Sequence, residues 1–168
     1  MARLSNLLLV VLAAATIFCV SADMLSYTAT FVQCVSNASC PQGNPGRFNR
    51  TFALNDIVSP NLYLMVGDQL EFKLAVNVSI HPLTICQNSP LPKFCQGSNG
   101  TDVLNVPITV AGQTTSTTFT AAGTYYYGCN YHPGMGATIT VFPNSVDSSS
   151  SNRYSKRAAT ARIGARHQ

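Results

Sequence analysis

The 168-residue sequence predicts an all-β fold, a Greek-key β-sandwich or barrel of about seven to nine strands. Between positions 25 and 142 it consists of short runs rich in Val, Ile, Thr, Tyr and Phe, punctuated by Gly, Pro, Asn and Asp, which is the pattern of closely spaced strands and turns. No segment sustains the 3.6-residue apolar period of a helix. Composition agrees: 46% of the residues are hydrophobic, enough for an ordinary core, and 10% are charged, too few for a coiled coil or a charged disordered chain.

The elements follow in order. Arg3 precedes an apolar run from Leu7 to Val20, and Val20-Ser21-Ala22 supplies the small residues a signal peptidase needs. Residues 1–22 therefore read as a secretory signal peptide, with Asp23 as the first residue of a secreted or cell-surface protein. The run is 14 residues long, short of the roughly 20 that a spanning helix needs, so no transmembrane segment is expected. Strands are expected near 25–33, 48–54, 61–66, 69–76, 80–86, 103–109, 115–120, 124–129 and 137–142. Gly67-Asp68 and Ala122-Gly123 mark turns. Pro90, Pro92 and Gly97 make 87–100 a loop rather than a helix. After Pro143 the sequence turns Ser-rich and basic with little to bury, so 23–143 is one folded domain and 144–168 a disordered tail.

Charge divides along the same boundaries. The net charge is +4, yet 23–145 carries four Lys and Arg against five Asp and Glu. Residues 146–168 carry five basic residues and one acidic residue. A nucleic-acid-binding domain would hold its basic patch on the folded part, so no nucleic-acid partner is expected. The tail could contact an acidic surface or polymer. Sequons at Asn37, Asn49, Asn77 and Asn99 suit a secreted glycoprotein.

The cysteines carry more information. Removal of the leader takes Cys19 and leaves Cys34, Cys40, Cys86, Cys95 and Cys129, an odd number. In an oxidising compartment four should pair. Close spacing favours Cys34 with Cys40 and Cys86 with Cys95, with the connectivity itself left open. Cys129 is then the thiol with another task.

That thiol lies in Gly128-Cys129-Asn130-Tyr131-His132-Pro133-Gly134-Met135-Gly136, between two expected strands. A loop between strands can turn its donors toward one point, whereas a single strand would send them to alternating faces. His81, 48 positions upstream, lies on a strand that a sandwich can bring alongside. The set is one thiolate, two imidazoles and a thioether. A trigonal His₂Cys arrangement with a long axial Met suits copper in both oxidation states. With His81, Cys129, His132 and Met135 all used, no open position is left for a substrate. Tyr125, Tyr126 and Tyr127 read as strand residues alternating between core and surface.

The segment GTYYYGCNYHPGMGATITV resembles the copper-binding end of the cupredoxins, the family of plastocyanin, amicyanin and pseudoazurin. LYLMVGDQLEFKLAV is similar to that family's paired strands before the first histidine. The resemblance spans roughly residues 60–142. It implies a Greek-key sandwich, one Cu(I)/Cu(II) ion, and single-electron transfer with a redox partner protein. It also implies His81, Cys129 and His132 as equatorial ligands with Met135 axial. Two features depart from the pattern: Pro82 stands where many members have Asn, and the Cys86 to Cys95 insertion follows the first histidine.

The expected function is that of a secreted, monomeric blue-copper electron carrier with no enzymatic activity. The alternative is an extracellular or cell-surface binding module, or one that sequesters copper without transferring electrons. An enzyme is disfavoured. With two of three histidines used, only His167 remains, too few for a multicopper oxidase or a binuclear zinc hydrolase. There is no Ser-His-Asp arrangement and no Gly-rich phosphate loop.

Overall fold

The computed structural model describes residues 22–35, 40, 48–87 and 93–144. The expected leader, apart from Ala22, and the expected tail, apart from Asn144, lie outside the described residues, as does Asn37. Within them the chain forms nine strands: β1 (Met24–Gln33), β2 (Arg50–Leu54), β3 (Ile57–Val58), β4 (Leu62–Met65), β5 (Gln69–Leu74), β6 (Leu83–Cys86), β7 (Thr114–Thr118), β8 (Gly123–Cys129) and β9 (Gly136–Phe142). They build two sheets, β3-β2-β1-β5-β7 and β4-β9-β8-β6. The β1/β5 and β4/β9 pairs are parallel and the remaining ladders antiparallel. The result is a sandwich of two open sheets rather than a closed barrel.

Period-two patterning fixes which face of each strand turns inward. In β5, Leu70, Phe72 and Leu74 are buried while Gln69, Glu71 and Lys73 face outward. Leu62 and Leu64 of β4 and Ala137, Ile139 and Val141 of β9 supply the facing layer. Each large aliphatic or aromatic side chain so buried contributes roughly 1.5–3 kcal/mol. Tyr127 is fully buried near the centre, and its hydroxyl donates to the Pro60 carbonyl at 2.9 Å, so its polar end is not left unpaired. Burial pushes that phenol well above its ordinary pKa.

Two expected strands take a different form. Residues 103–109 form no strand and meet β6 through isolated bridges at Leu83↔Ile108 and Cys86↔Val103. Between those bridges the Asn105 side chain takes over a ladder position: its Oδ1 accepts the Ile85 N–H at 2.6 Å. Asn105 Nδ2 then reaches Thr115 Oγ1, and Thr117 Oγ1 donates to the Leu104 carbonyl. The segment thus laces the β6 edge of one sheet to the β7 edge of the other. It also explains why all four residues of β6 are buried.

The strand expected at 80–86 begins only at Leu83, leaving His81 in a turn whose N–H donates to the Val78 carbonyl at 2.6 Å. Pro82 has no N–H to give a ladder, so the strand starts after it. β3 was not expected: two residues are too short to leave a pattern, and it follows a turn in which Asn55 and Asp56 both have positive φ. The described part of 87–100 is a loop, ending in a 3-10 turn at Gly100–Asp102.

Candidate metal centre

The loop that carries His132 and Met135 is the connection between β8 and β9. At its base Gly128 pairs with Gly136, and the Cys129 N–H donates to the Met135 carbonyl at 3.0 Å. A Cβ on Gly128 would fall on the Met135 carbonyl oxygen, and one on Gly136 on the Tyr127 carbonyl oxygen. Only glycine lets the two strands approach this closely. The loop between them is six residues long, closed tightly enough to turn Cys129, His132 and Met135 inward.

All four expected residues lie at this end of the sandwich. His81, Cys129 and His132 each offer a donor atom, and the three atoms lie within 4.8 Å of one another. Cys129 Sγ is 3.7 Å from His81 Nδ1 and 3.5 Å from His132 Nδ1. Bonds of roughly 2.0–2.3 Å spread trigonally around a first-row ion set neighbouring donors roughly 3.5–4 Å apart, so the spacing fits one metal. Met135 is fully buried beside Cys129, while His81 is buried and His132 half-buried. Cys34 pairs with Cys40 and Cys86 with Cys95, leaving Cys129 as the free thiol among the described residues. The donor set and its spacing match a single blue-copper site.

The electrostatics are those of a site built for an ion. Burial raises the Cys129 thiol pKa, opposed by backbone N–H groups of Tyr131 and His132 that favour the thiolate. The Tyr131 N–H reaches the sulfur at 3.4 Å. Burial lowers the His81 pKa, helped by the neighbouring His132 and Arg50. His81 therefore tends to present a neutral nitrogen, the form that binds metal.

Two aromatic residues around the histidines carried no sequence signal. Phe31 stacks on His81 with ring centroids 4.9 Å apart, and Phe48 lies 4.0 Å from His132 and 5.9 Å from His81. Phe31 lies on β1 of the far sheet and Phe48 just before β2 of the same sheet, 33 or more positions from either histidine, so spacing could not have revealed them. The residues that follow the insertion also reach the site. The Gly97 N–H donates to the Asn130 carbonyl at 2.9 Å, and Gln96 Nε2 approaches the Tyr131 carbonyl at 3.5 Å. Asn130 Oδ1 is buried without a hydrogen-bond partner among the described residues, for which the structure offers no explanation.

Comparison with known proteins agrees with this geometry. A family model described as copper binding proteins, plastocyanin/azurin family, matches residues 66–142, the stretch that holds His81, Cys129, His132 and Met135. A reduced amicyanin variant is 31% identical, over 49% of this chain and 70% of that one, with a TM-score of 0.34. Rusticyanin from Thiobacillus ferrooxidans is 18% identical over 72% of this chain and 79% of its own, with a TM-score of 0.44. The curated protein sequences contain no match. By its matched segment and its identity to amicyanin, the chain belongs to the plastocyanin/azurin family of copper-binding proteins, the cupredoxins.

Proposed function

We propose that this blue-copper protein is a secreted carrier of single electrons, with His81, Cys129, His132 and Met135 as the residues that would hold its copper ion. The observation that carries the reading is the trio of donors within 4.8 Å around a free, buried thiol. Bound copper supplies one-electron chemistry by cycling between Cu(I) and Cu(II). The residues supply the rest. Cys129 is fixed from behind by the Met135 carbonyl and its sulfur from in front by the Tyr131 N–H, so the thiolate has little room to move. Phe31 and Phe48 confine both imidazole rings. A site that moves little between oxidation states exchanges electrons with little reorganisation, and four filled positions discourage substrate chemistry.

His132 is the ligand nearest solvent, and the residues flanking the two histidines, Ile80 at 62% and Tyr131 at 60% exposure, are apolar and open. This end is the surface a redox partner protein would meet. In the same reading residues 1–22 are a cleaved leader, 23–143 the copper domain and 144–168 a tail. Asn49, Asn77 and Asn99 are exposed and available for glycans. No helix among the described residues is long and apolar enough to cross a membrane.

The test is the visible and EPR spectrum of the secreted protein loaded with Cu(II), beside Cys129→Ser. The expected outcome is an intense sulfur-to-copper absorption that the variant lacks, with reversible one-electron reduction. A colourless wild-type complex, or copper that cannot be cycled, would overturn the reading.

A further inference from the structure

We propose that the buried carboxylate of Asp68 is the seat of a free N-terminal ammonium, that of Asp23, produced when residues 1–22 are removed. Asp68 is 3% exposed. Its Oδ2 accepts the Met65 N–H at 2.9 Å, and its Oδ1 accepts the Asp23 backbone N–H at 3.0 Å. The carboxylate is held in place by the turn that carries it. Gly67 has φ +97°, its N–H donates to the Phe119 carbonyl at 2.7 Å, and the Phe119 N–H donates to the Asp68 carbonyl at 3.1 Å. Asp23 is equally fixed: its carbonyl accepts the Gln69 N–H at 2.9 Å, and the β1/β5 ladder begins at the next residue with Met24↔Gln69.

An independent observation falls on the same bond. The small-residue sequence Val20-Ser21-Ala22 ends immediately before Asp23. Hydrolysis of the Ala22–Asp23 peptide bond by a signal peptidase adds water across it. Hydroxyl goes to the Ala22 carbonyl carbon and a proton to the Asp23 nitrogen, which takes up a second proton near neutral pH to become an ammonium. The nitrogen that donated to Asp68 as a neutral amide then donates as a cation. The amide already donates to an ionised acceptor; the ammonium adds the attraction of opposite charges at a carboxylate held away from bulk water. Cleavage therefore turns the Asp23–Asp68 hydrogen bond into an ion pair between the start of β1 and the β4–β5 turn, and the processed chain is more stable than its precursor. The inference rests on the secretory reading and is independent of copper.

The full-length gene is expressed through a eukaryotic secretory pathway and the secreted protein is studied without metal. Intact mass should give Asp23 as the first residue; any other start overturns the proposal while leaving the copper site untouched. A glycine inserted between Ala22 and Asp23 restores the amide at Asp23. Denaturant unfolding should show it lowering the folding equilibrium constant about tenfold with Asp68 present, and by less than about twofold with Asp68→Asn. An equal loss in both backgrounds overturns the ion pair. A second measurement needs no substitution at Asp68: the α-amine of the Asp23 terminus should acylate near neutral pH about tenfold more slowly than that of the glycine-extended chain. Equal rates overturn the proposal.

Discussion

Gly128 and Gly136 face each other where the ligand loop leaves and re-enters the sheet, and the approach they permit is what aims Cys129 and Met135 at one point. Gly136→Ala drives a methyl group into the Tyr127 carbonyl, a backbone atom that cannot swing aside. The expected cost is about 2–4 kcal/mol, with loss of the copper spectrum, measured by denaturant unfolding and titration with Cu(II). Phe48 acts on the other side of the site. Its ring covers half-buried His132, so Phe48→Ala should speed removal of copper by a chelator roughly tenfold, and Phe48→Leu should restore most of the protection. Unchanged stripping by the alanine variant would show that the ring shields nothing. That His81, Cys129, His132 and Met135 come together was legible in the sequence because three of them are crowded into one loop, where spacing alone limits what they can do. Phe31 and Phe48 were not, since an aromatic in or beside a strand looks the same whether it packs on a leucine or on an imidazole.

At the scale of elements, the segment between Cys86 and Gly97 connects a disulfide to the metal centre. The Cys86–Cys95 bridge joins the end of β6 to a loop whose Phe94 is buried against Tyr126 and whose Gly97 holds the Asn130 carbonyl. Replacing Cys86 and Cys95 by alanine releases that loop and leaves the Asn130 carbonyl without its donor. The expected result is a loss of about 2–4 kcal/mol of stability together with an altered EPR spectrum, because the released loop borders the ligands directly. An unchanged spectrum with lowered stability would make the bridge a staple and nothing more. Disulfide pairing was legible from short spacing and an odd count. The strand expected at 103–109 failed for a reason that lies elsewhere in the chain: Asn105 spends its side chain on the Ile85 N–H, and nothing near position 105 announces that partner. His81 was expected on a strand and lies in a turn, although Pro82 beside it carried the signal that the ladder starts later. Strand alternation thus specified the sandwich and its core, while edges and connections depended on contacts between distant residues.

For the whole molecule, the free-standing fold and the metal centre place opposite demands on the same side chains, and pH separates them. Burial lowers the His81 pKa below its ordinary 6.5, so below that value the unfolded chain binds a proton that the fold refuses. Stability of the metal-free protein should fall as pH drops through 6.5 toward the lowered value. Burial raises the Cys129 pKa above its ordinary 9.0, so above that value the unfolded chain has released a proton that the fold retains. Stability should fall again as pH rises past 9.0, with Tyr127 adding to the decline only above 10.0. The metal-free protein is therefore most stable between about 6.5 and 9.0. Thermal unfolding across this range tests the assignment, since Cys129→Ser should keep the acid decline and lose the part of the alkaline one that begins at 9.0. A variant with an unchanged alkaline limb would mean that the thiol is not the group responsible. Copper reverses the preference for the protonated thiol. Binding releases the Cys129 proton, so affinity should weaken by up to about tenfold for each unit of pH below the raised thiol value. Because the ion binds the fold and not the random chain, excess Cu(II) at a hundred times the dissociation constant should add about 2.7 kcal/mol to stability. A loaded protein whose unfolding temperature matches the metal-free form at pH 7 would show that the donors, though close together, do not hold the ion.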